Sequence, residues 1–163
     1  MKHSKNRKNS LIKTISYLFL FTMLIFSSCG EDDTKPNCGC DSDTLDTVPS
    51  ENFPEVPIEE QKSGLLFYKH AENIDQIFDD EHSGEYNNRF WVFQGIEGCY
   101  NCRRHYIICN ETLLGSEYDY LKNSNDSVPI TFTGELKFLC IDPFVTPADY
   151  FYSEIKLNSI EQQ

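Results

Sequence analysis

Seven cysteines, at positions 29, 38, 40, 99, 102, 109 and 140, are the residues of this chain best suited to chemistry. Three chemistries fit their spacing. Cys99 and Cys102 form a C-x-x-C, in which one thiolate attacks a disulfide and the neighbouring thiol resolves it. Arg103 and Arg104 follow directly, and cationic neighbours favour a thiolate. Cys99, Cys102, Cys109 and Cys140 also offer the four sulfurs that a tetrahedral zinc ion takes. The third chemistry is structural. Cys38, Cys40, Cys99, Cys102, Cys109 and Cys140 form an even set, and six cysteines can pair in fifteen ways. Cys109 and Cys140 each end an apolar stretch, which favours a bridge between or near those two ends. Cys38-Gly39-Cys40 would tether the preceding segment.

The compartment decides among these, and Cys29 reports on it. A basic start (Lys2, Lys5, Arg7, Lys8, Lys13) leads into an apolar run from Ile15 to Phe26, then Ser27-Ser28-Cys29. That run is too short for a bilayer, which needs ~20 residues. The order of basic, apolar and small residues is that of a secretory signal, and with Cys at the cut it resembles a bacterial lipoprotein signal. The resemblance implies removal of residues 1–28 and acylation of Cys29, a durable membrane anchor. Gly30-Glu31-Asp32-Asp33 resembles the export signal of surface lipoproteins of the Bacteroidota type. The expected location is the outer membrane, lipid-anchored and cell-surface exposed, or otherwise its periplasmic face. Outside the inner membrane paired thiols stay oxidised, so staples are expected and a metal is not. The C-x-x-C looks somewhat like a thioredoxin or glutaredoxin site. However, residues 103–109 read as a strand, where that site needs a helix N-terminus. Cys99 and Cys102 therefore stand as an alternative redox pair. No H-E-x-x-H, P-loop, G-x-G-x-x-G or G-x-S-x-G occurs, so no catalytic residue and no cofactor are expected.

Charge narrows the partners. The chain has 14 Lys plus Arg against 26 Asp plus Glu, a formal charge of −12. Loss of the signal, with five cations and no acids, takes this to −17. Phosphate binding relies on clustered Lys and Arg, so no nucleic acid partner is expected. The membrane, through the lipid, is the expected partner, with a protein or glycan ligand besides. Residues 30–62 hold ten acids and four of the seven prolines. Such a composition buries too little apolar surface to offset its ordering entropy. Residues 29–62 are thus expected to be a disordered acidic stalk, and residues 63–163, with 17 of the 22 aromatics, the single globular domain.

Within that domain five segments read as strands: Leu65–Lys69, Arg89–Gln94, His105–Cys109, Pro129–Cys140 and Ser153–Ile160. Gly134 interrupts the fourth, where it would mark a bulge or bend. Ala71–Asp80 (Ile74, Ile77, Phe78) and Glu111–Lys122 (Leu113, Leu114, Tyr118, Leu121) have helical spacing, the second weakened by Gly115. Asp79–Asn88 reads as a polar loop. The order of the surest elements is strand, strand, strand, helix, strand, strand. The expected fold is mainly β (α+β), a small five-stranded OB-like barrel with one or two short helices, stapled by disulfides.

Other residues bear on function. His105 with Arg103 and Arg104 forms the densest positive patch, suited to local acids or a ligand carboxylate. Trp91, Phe90 and Phe93 are core on at least one side and a stacking platform if exposed. His70 and His82, near Glu72, Asp79, Asp80 and Glu81, make only a weak metal candidate. Asp43-Thr44-Leu45, Asp46-Thr47-Val48 and Asp126-Ser127-Val128 resemble the O-glycosylation acceptor of exported Bacteroidota-type proteins. The resemblance marks Thr44, Thr47 and Ser127 as candidate sites. Ser28-Cys29, Cys38-Gly39-Cys40-Asp41, Asn101-Cys102, Ile108-Cys109-Asn110-Glu111 and Ala148-Asp149-Tyr150 together resemble uncharacterised small lipoproteins of the Bacteroidota type. That resemblance implies a location and a Cys-containing β domain, and no activity. The expected function is a non-enzymatic binding or structural β domain on a membrane anchor.

Overall fold

The computed structural model describes residues 36–71, 84–96, 99, 101–141 and 148–163. Cys29 with its signal, the expected helix beyond Ala71, His82 and residues 142–147 lie outside the described residues. Six strands form the sheet: β1 (Thr44–Val48), β2 (Ser63–Lys69), β3 (Arg89–Gly95), β4 (Arg103–Ile108), β5 (Ser127–Lys137) and β6 (Tyr150–Gln162). A one-turn helix, α1 (Ile58–Gln61), precedes β2. The sheet order is β1-β5-β2-β3-β4-β6, and a β5–β6 pairing closes it. Strands β2 to β6 are thus a closed five-stranded barrel. The β4–β6 pair is parallel and the other pairings are antiparallel. This is the expected OB-like barrel, stapled by disulfides.

Strand alternation builds the core. Leu66, Phe90, Val92, Tyr106, Ile108, Ile130, Phe132 and Ile155 fill the barrel. Successive side chains face opposite ways in a strand, so Trp91 and Ile107 fall on the outer side, where they pack with Tyr86 and Tyr152. Gly134 sits where β5 and β6 shift register, between Thr133 and Gly134. A Cβ there would lie 2.7 Å from the Lys156 carbonyl oxygen, so close approach of two backbones requires glycine.

Three expectations change. The helix over Glu111–Lys122 is instead two 3₁₀ segments, Glu111–Leu113 and Ser116–Asn123, because Gly115 and the extended Leu114 break the hydrogen-bond ladder. The described end of the polar loop, Gly84–Asn88, is anchored by buried Tyr86. The disordered stalk is overturned for residues 36–62. Thr44–Val48 pairs with β5, continuing along β5 the line that β2 occupies further on. Val48, Ser42, Ser50 and Gln61 are buried, while Asp41, Asp43, Glu51, Glu55 and Glu59 are exposed. Composition alone missed this, since a strand buried on one side needs few large apolar residues. The folded domain therefore begins by Cys38 rather than at Ser63.

Candidate functional site

Two regions gather the polar and sulfur chemistry. The first is a clamp made by the N-terminal segment. Disulfides join Cys38 to Cys140 and Cys40 to Cys109, with Cα separations of 4.9 and 5.4 Å. Cys38-Gly39-Cys40 tethers its segment, as expected, and ties down both apolar ends, while Cys109 and Cys140 do not bridge each other. Gly39 has φ +82°, a left-handed conformation that favours glycine. Beneath the clamp lies Glu154, 5% exposed. Its Oε1 is 3.3 Å from Arg89 Nη1, and its Oε2 is 3.4 Å from Cys40 Sγ and 3.7 Å from Cys109 Sγ. Burial raises the Glu154 pKa, and Arg89 opposes that shift. Lys137, also buried, donates to Ser42 O, Thr44 Oγ1 and Glu135 Oε2.

The second region is the barrel mouth. Strand β6 begins at Tyr150, but β5 ends at Lys137, which pairs with Glu154. The first four residues of β6 therefore pair with β4 alone. The unpaired gap opens into a pocket of about 510 Å³. Tyr106 and Leu136, members of the barrel core, line it together with Leu45, Phe53, Ile96 and Phe151. Its charged groups are Asp46, Arg104 and Asp149. A second pocket of about 370 Å³ adjoins it, sharing Phe53, Ile96, Cys102 and Arg104, and it also touches Cys99.

Two buried glutamines position these groups. Gln61 lies inside the 50–56 loop: its Oε1 accepts from Ser50 N at 2.7 Å, and its Nε2 donates to Phe53 O and Val56 O. Gln94 Nε2 donates to the Gln61 and Ser63 carbonyls at 2.7 and 2.9 Å, and its Oε1 accepts from the Tyr106 hydroxyl at 3.3 Å. The loop so held presents Phe53 to Arg104, whose Cζ lies 4.1 Å from the ring centroid. Burial pushes the Tyr106 hydroxyl up to about 12. Burial acts upward on Asp46 too, but hydrogen bonds from Ser50, the Thr47 N–H and Asn52, with Arg104 nearby, hold it below its ordinary value.

The sequence candidates are distributed as follows. Cys99 and Cys102 are bonded to each other, Cα 5.3 Å apart, at the mouth. The zinc quartet does not assemble, because Cys102 precedes β4 and Cys109 follows it at the other end, and all four sulfurs are in disulfides. The positive patch divides by alternation. Arg104 turns into the mouth, Arg103 lies over Tyr150 and Phe93, and His105 stacks on Tyr152 at 4.8 Å. Trp91 is 1% exposed, with its Nε1 donating to Tyr86 O, so it is core and offers no platform. His70 Nε2 is 2.9 Å from Ser124 O, far in character from a metal ligand. Thr44, Thr47 and Ser127 are all exposed. The Thr44 hydroxyl is engaged by Glu135 and Lys137, and Thr47 donates to Pro49 O.

Sequence reasoning missed Gln61, Gln94, Phe53 and Asp46. Gln94 carries the one usable signal, an amide directly after the aromatic run Phe90–Phe93 and on the same strand, where a buried polar group must find partners. No known protein family and no curated protein matches the chain.

Proposed function

We propose that this chain is a lipid-anchored protein of the outer membrane, displayed at the cell surface, whose barrel is a binding module with its ligand seated at the mouth. Support for the anchor comes from the basic and apolar start and Ser27-Ser28-Cys29. Glu31-Asp32-Asp33 supports display at the surface. The observation that carries the binding reading is the pocket of about 510 Å³ that opens onto the barrel core. Its size and its apolar walls with a few fixed polar groups are those of small-molecule sites.

Binding is favoured over catalysis by the charge states. General acid–base chemistry needs a group that titrates near the working pH. Asp46 is held low and Tyr106 high, so neither exchanges a proton near neutrality. The alternative, an anchored thiol–disulfide oxidoreductase, draws on Cys99 and Cys102 beside Arg104 in the adjoining pocket. Against it, the chain passes from Cys102 straight into β4, with no helix N-terminus to stabilise a thiolate. An insulin-reduction assay separates the two, and turnover that disappears in Cys99→Ser would overturn the binding reading.

The site itself is tested by fragment screening with amide shift mapping. Binders should shift amides of residues 45–53, 102–106 and 149–151 before any others. Shifts confined elsewhere would remove the mouth from consideration. The anchor is tested by Cys29→Ala, expected to release the protein from membranes; a mutant still held in the envelope without acyl label contradicts it. Protease treatment of intact cells tests display, and full protection until lysis would place the domain in the periplasm.

A further inference from the structure

We propose that the mouth recognises a small zwitterion, with a free carboxylate on Arg104, a free ammonium on Asp46 and an apolar body between them. This rests on the mouth being the binding site and names the class of ligand it takes.

Arg104 and Asp46 line the same pocket yet do not pair. Among the described residues no carboxylate lies within 4.0 Å of the Arg104 guanidinium. In a chain with 26 acids against 14 Lys plus Arg, that is an arrangement the fold must maintain. Two sets of contacts maintain it. The guanidinium lies over Phe53, 4.1 Å from the ring centroid, and it shares a hydrogen bond with the Tyr106 hydroxyl. A planar guanidinium so fixed is suited to grip a carboxylate through two parallel hydrogen bonds.

Asp46 is held from the other side. Its Oδ1 accepts from Thr47 N at 2.8 Å and its Oδ2 from the Ser50 hydroxyl at 2.6 Å. Asn52 adds a third hydrogen bond, which leaves one of the roughly four acceptor positions, so the carboxylate is immobilised but can still accept from an ammonium. Asp149, at the start of β6 with φ +73°, adds a second acid to the lining. Its carbonyl is fixed by Arg103 N at 3.2 Å.

The lining therefore offers one cation and two acids beside the apolar Leu45, Leu136, Ile96 and Phe151. A ligand bearing only negative charge meets Asp46 and Asp149. One bearing only positive charge meets Arg104. A neutral apolar ligand strips water from all three charges without replacing it. A molecule with separated opposite charges satisfies both ends, and about 510 Å³ accommodates a dipeptide. The proposal covers both sources of that chemistry, a free amino acid and a short peptide.

The test uses the full-length protein in detergent and titration calorimetry with phenylalanylleucine, its N-acetyl form and its C-terminal amide. Phenylalanine run beside them tells a single amino acid from a peptide. The uncapped dipeptide or phenylalanine should bind, and each cap should weaken dipeptide binding at least tenfold. Arg104→Gln should abolish the preference for free acid over amide, and Asp46→Asn the preference for free amine over acetyl. In Asp46→Asn the Oδ1 still accepts from Thr47 N, and the amide NH2 can donate to Ser50 Oγ in place of accepting from it, so both contacts that hold the loop are retained. If Arg104→Gln fails to fold, the cap series on the unmodified protein decides alone. Capped and uncapped probes binding equally at the mouth would overturn the zwitterion and leave the binding module standing. No binding by any of the four probes would also overturn the zwitterion, while the fragment screen judges the mouth independently.

Discussion

Cysteine pairs occur at two places on this barrel, bridging 102 and 69 residues at the clamp and three at the mouth. At the clamp the sulfurs surround a buried carboxylate, Glu154. At the mouth they precede two arginines and border the pockets. Long-range bridges remove much chain entropy from the unfolded state, and a bridge over three residues removes little. A carboxylate beside a disulfide repels an incoming thiolate, whereas cations attract it and stabilise the thiolate that leaves. One cysteine pattern thus serves two ends: the clamp pairs hold the chain closed, and the Cys99–Cys102 pair borders the site at the mouth.

The largest effect expected from breaking this contrast is on stability. Replacing Cys38 and Cys140 by Ser, or Cys40 and Cys109, should lower unfolding free energy by about 4–5 kcal/mol for each pair taken alone. Replacing Cys99 and Cys102 should cost about 2 kcal/mol or less. Urea denaturation of the three double variants reads the difference directly, and equal losses would erase the distinction.

A second variant sharpens the account of the mouth. Gln61→Ala leaves the Ser50 N–H and the Phe53 and Val56 carbonyls without their partner. The expected cost is about 2–3 kcal/mol, with a loss of ligand affinity because Phe53 is no longer held against Arg104. The clamp pairs should still resist reduction in this variant. A Gln61→Ala protein of unchanged stability and affinity would show that the loop is positioned by something else.

The smallest effect is electrostatic and has opposite signs at the two ends. The folded pKa of Glu154 is raised. Its contribution is complete below the ordinary value of 4.5 and is lost as pH rises through the folded value. The folded pKa of Asp46 is lowered. Its contribution is present above the ordinary value of 3.8 and is lost as pH falls through the folded value. Thermal unfolding across pH should lose its decline above 4.5 in Glu154→Gln and soften its acid-side fall in Asp46→Asn. Slopes of the same sign in both variants would contradict these assignments.

The barrel was legible from the sequence because its strands stand out as apolar and aromatic runs, as in Phe90-Trp91-Val92-Phe93, or as alternation, as in Ile130-Thr131-Phe132-Thr133, and because Gly134 falls where two backbones crowd. Strand β1 was not, since Thr44–Val48 buries only Val48 and is fixed by β5 and by disulfides that the sequence leaves unpaired. The mouth was less legible still. It arises from a mismatch in length, β5 stopping at Lys137 while β6 starts four residues before Glu154, and no local pattern encodes that offset. Arg104 drew attention as one of three clustered cations, yet strand alternation turns it into the mouth and leaves Arg103 and His105 together against Phe93 and Tyr150 on the other face.

Graded reduction tests the contrast most directly. The folded, full-length protein is exposed to rising dithiothreitol, alkylated at each step, and its labelled cysteines are identified by mass spectrometry. Cys99 and Cys102 should label first, while the fold is intact. Cys38 and Cys140 should follow, since Cys140 is exposed, and Cys40 and Cys109, guarded by Glu154, should label last. Labelling of Cys40 or Cys109 before Cys99 and Cys102 would contradict the division of the barrel into a resistant clamp and a readily reduced pair at the mouth.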